Sequence, residues 1–279
     1  MKIIYSARCL EYKARAHPEF PLRVKSSHEF LQDKGLVFKE PRICSEEKIL
    51  AAHSQNLVDR IKRLDFFDPD TPLIKGIFEY ALISASSAIS AMEIALSGEP
   101  AFSLMRPPGH HAGRDFLGGF CYLNNVAIAV QEALRRNIRT AILDVDCHHG
   151  NGTQDIFEGQ EDVLYVSLHQ SPYYPGTGLY SIKNCLNYPL AAGTKEEQYL
   201  FALKEACQRI RDFSPCLLAI SAGFDTYKND PLGKMELEEG SYAKIRGMIE
   251  SLGVPYFSVL EGGYSAKLKY CVYEFVKDA

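Results

Sequence analysis

Short runs of branched and aromatic residues alternate along this chain with longer amphipathic stretches, and that alternation constrains the fold more than any other feature. Lys2–Tyr5, Ala101–Leu104, Thr140–Asp146, Val163–His169, Cys216–Ser221 and Tyr256–Leu260 are each bounded by Gly, Pro or charge and read as strands. Helical periodicity is clearest over Ile77–Ser97, Asn125–Arg136, Lys195–Phe213 and Glu238–Leu252, with Gly98 and Gly253 as C-terminal stops. Strands alternating with helices at this spacing predict a parallel sheet covered by helices on both faces. No low-complexity linker, charge block or fixed-period repeat interrupts the pattern, so residues 1–279 read as a single α/β domain.

Charge and cysteine usage narrow the function classes. A net charge of −4 with scattered basic residues gives no electrostatic basis for nucleic acid or an anionic membrane as partner. The densest basic group, Arg135, Arg136 and Arg139, reads as the end of a helix. None of the 8 cysteines forms a C-x-x-C pair, and most sit in apolar runs, as reduced core cysteines do. The N-terminal stretch is too charged for a secretory signal, and no apolar run approaches the roughly 20 residues of a membrane span. A cytoplasmic protein with free thiols is the expectation.

The residues that follow the strands carry the chemistry. Ala101–Leu104 runs into MRPPGHHAG, Thr140–Val145 into DCHHGNGT, Val163–Leu168 into HQSPYYPGTG, Cys216–Ser221 into AGFDTYKNDPLG, and Tyr256–Leu260 into EGGY. Sites in parallel α/β folds form where the carboxyl ends of strands open into loops, so the clustering points to an enzyme. In an extended chain, residues two apart share a side, which would let Asp144, Asp146 and His148 converge on one face. Mixed Asp and His ligands suit Zn²⁺ or another borderline divalent ion. Asp225, at the next carboxylate-bearing strand end, would complete a set of two aspartates and one histidine that leaves a position open for water. Asp144 has an alternative role, orienting a histidine. Cys147, His149 and His169 read as structural, and His17, His28 and His53 fall outside the strand-end set.

Two further pieces complete the constellation. In RPPGHHAG the prolines stiffen the backbone ahead of His110 and His111, and adjacent histidines beside a metal-bound water fit general acid–base work. In EGGY, the Tyr264 hydroxyl is placed to donate to a developing oxyanion, or the ring simply packs.

Taken together, RPPGHHA, GGFCYLNN, LDVDCHHGNGTQDIF, YVSLHQ, YPGTG, SAGFDTYKNDPLG and VLEGGY resemble the zinc-dependent histone deacetylase superfamily. The likeness is to its class II type and bacterial relatives, acetylpolyamine amidohydrolases among them, and it runs from HPEFP to the final helix. The resemblance implies an arginase-like domain with a mostly parallel sheet of about eight strands, and removal of acetyl or other acyl groups from N-acyl-lysine side chains through a metal-activated water. It implies Asp146, His148 and Asp225 as zinc ligands and His111 as general base, backed by Asn151. His110 would be oriented by Asp144, and Tyr264 would polarise the carbonyl. Gly119, Phe120 and Tyr174 would wall a narrow acyl-lysine tunnel. A structural monovalent cation, K⁺ or Na⁺, would take Asp144 and Ser167 side chains with backbone oxygens of Asp144, Asp146, His148 and Leu168.

Departures from the pattern bear on substrate. Asn151 stands where one branch carries Asp, leaving the histidine it backs less basic. Leu232 stands where polyamine-selective members carry a glutamate, which leans away from acetylpolyamines, and Asp70 maps to a rim position that accepts peptide N–H groups. Phe20 replaces a common Arg, and the stretch around Tyr180–Leu190 is trimmed, so a longer acyl chain fits the expected open mouth. The alternatives are a deacetylase of small acylated amines and a non-catalytic acyl-binding module. A binuclear ureohydrolase needs a D-x-H-x-D pattern that is absent.

Overall fold

Every strand expected from the sequence forms, with ends displaced by no more than two residues, and two more join them. In this computed structural model, which describes residues 1–277, they are β1 (Lys2–Ile4), β2 (Phe38–Lys39), β3 (Ala101–Ser103), β4 (Thr140–Asp144), β5 (Val163–Gln170), β6 (Cys185–Leu190), β7 (Leu217–Ala222) and β8 (Tyr256–Leu260). One sheet holds all eight in the order β2-β1-β3-β8-β7-β4-β5-β6, and every neighbouring pair is parallel. The last two residues of the expected 1–279 domain lie outside the described residues.

Pleating sends alternate side chains into two separate cores. Ala141 and Leu143 of β4, with Leu218 and Ile220 of β7, join one core, whereas Ile142 and Ala219 join the other. The first core is roofed by α1 (Leu22–Asp33), α7 (Glu196–Phe213), α8 (Ser241–Glu250) and α9 (Leu268–Val276). The second is roofed by α2 (Glu46–Leu50), α3 (Gln55–Arg63), α4 (Ile77–Leu96), α5 (Asn125–Leu134) and α6 (Asn151–Phe157). Because both faces are covered, the strands carry near-continuous apolar runs, as parallel strands do. By length and composition α4 could cross a bilayer, but it is packed against α5, β3 and β8, and burial in the core accounts for its composition.

β4 ends two residues before the expected Asp146. Beyond Asp144, carboxylates capture the backbone donors: Asp144 Oδ1 accepts the Asp146 N–H at 3.1 Å, and Asp146 Oδ1 accepts the His148 N–H at 2.8 Å. Local side-chain acceptors of this kind compete with the ladder and turn the chain into a loop. The parallel sheet then places the loops after β3, β4, β5, β7 and β8 along one edge.

Candidate active site

Asp146, His148 and Asp225 are the one group of His, Cys, Asp or Glu among the described residues whose ligand atoms lie within 4.8 Å of one another. His148 Nδ1 is 2.9 Å from Asp225 Oδ2 and 3.1 Å from Asp146 Oδ1. Both carboxylates are buried, and Asp225 is pushed up to about 7 by burial and by Asp146 beside it. Two buried acids facing one imidazole are poorly stabilised unless a cation joins them. The donor set, two carboxylate oxygens and one imidazole nitrogen, suits a borderline divalent ion. Glycines leave the room: a Cβ on Gly262 would collide with the carboxylates of Asp225 and Asp146.

Asp144 does not join that group. Its Oδ2 accepts from His110 Nδ1 at 3.1 Å and from the Tyr165 hydroxyl at 3.0 Å, so the pleat expectation that gathered Asp144 with Asp146 and His148 is corrected. The cause is the end of β4, since Asp144 is still in register with Ser167 and Ser221 while Asp146 has left the ladder. Burial opposes charge on His110, but Asp146 and Asp144 outweigh it and drive the ring up to about 10. For His111 the balance reverses: burial, then the neighbouring His110 and His148, hold it well below its ordinary value. Its Nδ1 bonds Asn151 Oδ1 at 2.8 Å, so Nδ1 carries the hydrogen and Nε2 keeps a free lone pair. The two rings lie 4.0 Å apart.

A cavity of about 210 Å³ opens onto these groups, and its lining includes His110, His111, His148, Gly119, Phe120 and Tyr174. Tyr264, Leu232 and Asp70 also line it, so the expected wall and rim positions all reach the same space. The Tyr174 ring sits 5.1 Å from His111, and Phe120 meets Tyr264 edge-on at 5.7 Å. Gly119 has φ +53°, and a Cβ there would stand 2.5 Å from the His111 ring. Burial pushes the Tyr264 hydroxyl well above its ordinary value, which keeps it a donor.

Several residues at the site were missed from the sequence. Tyr173, beside the expected Tyr174, stacks on His148 at 5.4 Å. His17 turns out to brace the rim: its Nδ1 accepts the Glu19 N–H at 3.1 Å, its Nε2–H donates to the Asp70 carbonyl at 3.0 Å, and its ring meets Phe120 at 4.6 Å. Away from the cavity lining, Glu19 receives Arg106 Nε at 2.6 Å, Arg106 Nη2 at 2.7 Å and Arg23 Nη1 at 3.1 Å. The Arg23 guanidinium lies 4.5 Å over the Tyr264 ring. Glu261, buried ahead of EGGY's glycines, is pushed up to about 7 by burial. An acid inside an otherwise apolar strand end was the available signal. His149 and His169, expected to be structural, pair with Thr177 Oγ1 and with the Gly178 carbonyl.

Residues 17–279 match the histone deacetylase domain family. An acetylpolyamine amidohydrolase of Pseudomonas aeruginosa is 44% identical over 213 residues, covering 72% of this chain and 62% of that protein. This chain therefore spans less than two thirds of that relative's length. A probable deacetylase of Archaeoglobus fulgidus is 35% identical, covering 95% of this chain and 81% of its own. The crystal structure of the HDA15 HD domain superposes with a TM-score of 0.93 at 30% identity, covering 99% of this chain and 90% of that one.

Proposed function

Because this chain belongs to the histone deacetylase domain family, we propose that it is a zinc-dependent amidohydrolase that releases acetyl or another short acyl group from a small N-acylated amine. The observation that carries the chemistry is the cavity lined by His110, His111, His148 and Tyr264, with the carboxylates of Asp146 and Asp225 on His148 Nδ1 behind it. The names of the relatives favour small acylated amines over the acyl-lysine side chains expected from the sequence. They also weigh against the lean that Leu232 suggested. Asp70 supports the same choice, since a carboxylate lining the cavity would attract a second ammonium on the substrate. Acyl-lysine peptides are the second reading, supported by the relatives named as probable deacetylases.

Asp146, His148 and Asp225 would hold the zinc, whose Lewis acidity polarises a carbonyl and acidifies water. The free lone pair at His111 Nε2 accepts the proton of the attacking water, and Asn151 keeps the ring in that tautomer. His110, whose Nδ1 bonds the Asp144 carboxylate at 3.1 Å, is placed to hold the proton that the leaving amine requires. Tyr264 donates from its hydroxyl to the oxyanion. A monovalent cation behind the site belongs to the same proposal. Asp144 and Ser167 face each other in the β4–β5 register with Leu168 next along the strand, which supports it, although Ser167 Oγ here pairs with His169 Nδ1 at 2.9 Å.

A panel of N-acetylated diamines, free N-acyl-lysine and N-acyl-lysine peptides of varied chain length tests the choice of amine on zinc-loaded protein. The expected outcome is kcat/KM at least about tenfold higher for the diamines, the equivalent of about 1.4 kcal/mol. Preference for a peptide over every small amine would overturn it.

A further inference from the structure

Glu261 directly follows β8 and is fully buried, yet its carboxylate does not line the cavity. Oε2 accepts the Gly109 N–H at 2.7 Å and the His110 N–H at 3.2 Å, and Ser221 Oγ donates to Oε1 at 3.3 Å. The backbone around it is held as firmly. Arg23 Nη2 donates to the Glu261 carbonyl at 2.7 Å, Arg23 Nε donates to the Gly263 carbonyl at 2.6 Å, and the Gly262 N–H donates to Asp146 Oδ2 at 2.7 Å. Three consecutive residues thus tie the loop after β8 to the paired-histidine loop, to the loop after β4 and to α1.

We propose that Glu261 is a positioning residue that fixes the His110–His111 backbone against Tyr264, three residues further along the chain. Gly109 packs closely against the start of α5, where a Cβ would overlap the backbone nitrogen of Asn125. The loop thus lies between α5 and the Glu261 carboxylate. Buried N–H groups require an acceptor, and Glu261 supplies it for two successive residues. Small displacements of groups that must meet a substrate in fixed geometry are expensive in rate. The catalytic consequence rests on the amidohydrolase reading, whereas the clamp itself can be read without turnover.

Glu261→Gln keeps an oxygen acceptor at full reach, and Glu261→Asp keeps the charge but withdraws the oxygens. Amide-proton exchange at Gly109 and His110 reports the clamp in metal-free protein, and kcat and KM on zinc-loaded protein report its effect. In E261D, exchange at both amides is expected to accelerate about tenfold or more, with kcat falling by a similar factor, KM within about threefold and zinc content unchanged. E261Q is expected to stay within about threefold of wild type in both readouts, because the acceptor persists. Wild-type exchange in E261D, wild-type kcat in a turnover-competent E261D, or an E261Q as impaired as E261D would each overturn the proposal. A wild-type protein inert toward every N-acyl amine would overturn the functional reading alone, and exchange at the two amides would still decide the clamp.

Discussion

His110 and His111 are adjacent in the chain and opposite in character: Asp146 and Asp144 favour charge on His110, whereas burial and the neighbouring His110 and His148 disfavour it on His111. One rests on a buried carboxylate, Asp144, and the other on a neutral amide, Asn151. The paired histidines were legible from the motif spacing and their partners only through the family resemblance, because those partners lie 34 and 40 residues away and the fold brings them to hydrogen-bonding distance. Tyr264 shows the same limit. Its position after two glycines marked it as a donor, while the cation beneath its ring comes from Arg23 in α1. Tyr264→Phe removes the donor and leaves the ring in place, so kcat should fall by about 10²–10³-fold. Zinc content by atomic absorption should not change, because Tyr264 is outside the ligand group; loss of metal along with activity would contradict the role.

The interior strands and α4, α5, α7 and α8 were readable, whereas the edge strands β2 and β6 and the remaining helices were not, α9 among them despite its apolar face. Tyr256–Leu260 is buried at every position and was bounded correctly, whereas β6 is an edge strand interrupted by Pro189 with only Cys185 and Asn187 buried. α1 buries just Val24 and Leu31 among its apolar residues, too narrow a stripe to stand out. At this scale His53, unassigned from the sequence, proves to be a strut. Its Nδ1–H donates to the Gly113 carbonyl at 2.8 Å, and its Nε2 accepts the Asn124 N–H at 2.8 Å, joining the paired-histidine loop to α5. Burial drives its pKa from 6.5 to about 4. The unfolded ring binds a proton below its ordinary value and the folded ring resists until about 4, so this group costs stability as pH falls through that window. The slope should approach about 1.4 kcal/mol per pH unit. Urea unfolding of wild type and His53→Gln from pH 7 to 4 checks it, with the variant showing a shallower decline; parallel curves would contradict the assignment.

Across the whole molecule, one parallel sheet gathers residues from five distant loops onto a single edge. Alternation and strand-end chemistry made that edge legible, but the buried ion cluster was not, because Arg23, Glu19 and Arg106 look like ordinary polar residues until tertiary packing joins them. Glu19→Ala strands two buried guanidinium groups and should destabilise the fold by about 3–5 kcal/mol, measured by chemical denaturation. The central claim is that Asp146, His148 and Asp225 hold the metal on which amide hydrolysis depends. Titrating zinc into metal-stripped protein while following hydrolysis of N-acetylputrescine tests it most directly. Activity should rise in proportion to zinc up to a single equivalent, and Asp225→Ala should neither bind that equivalent nor turn over. Undiminished hydrolysis by the metal-stripped protein, or by Asp225→Ala, would contradict the account.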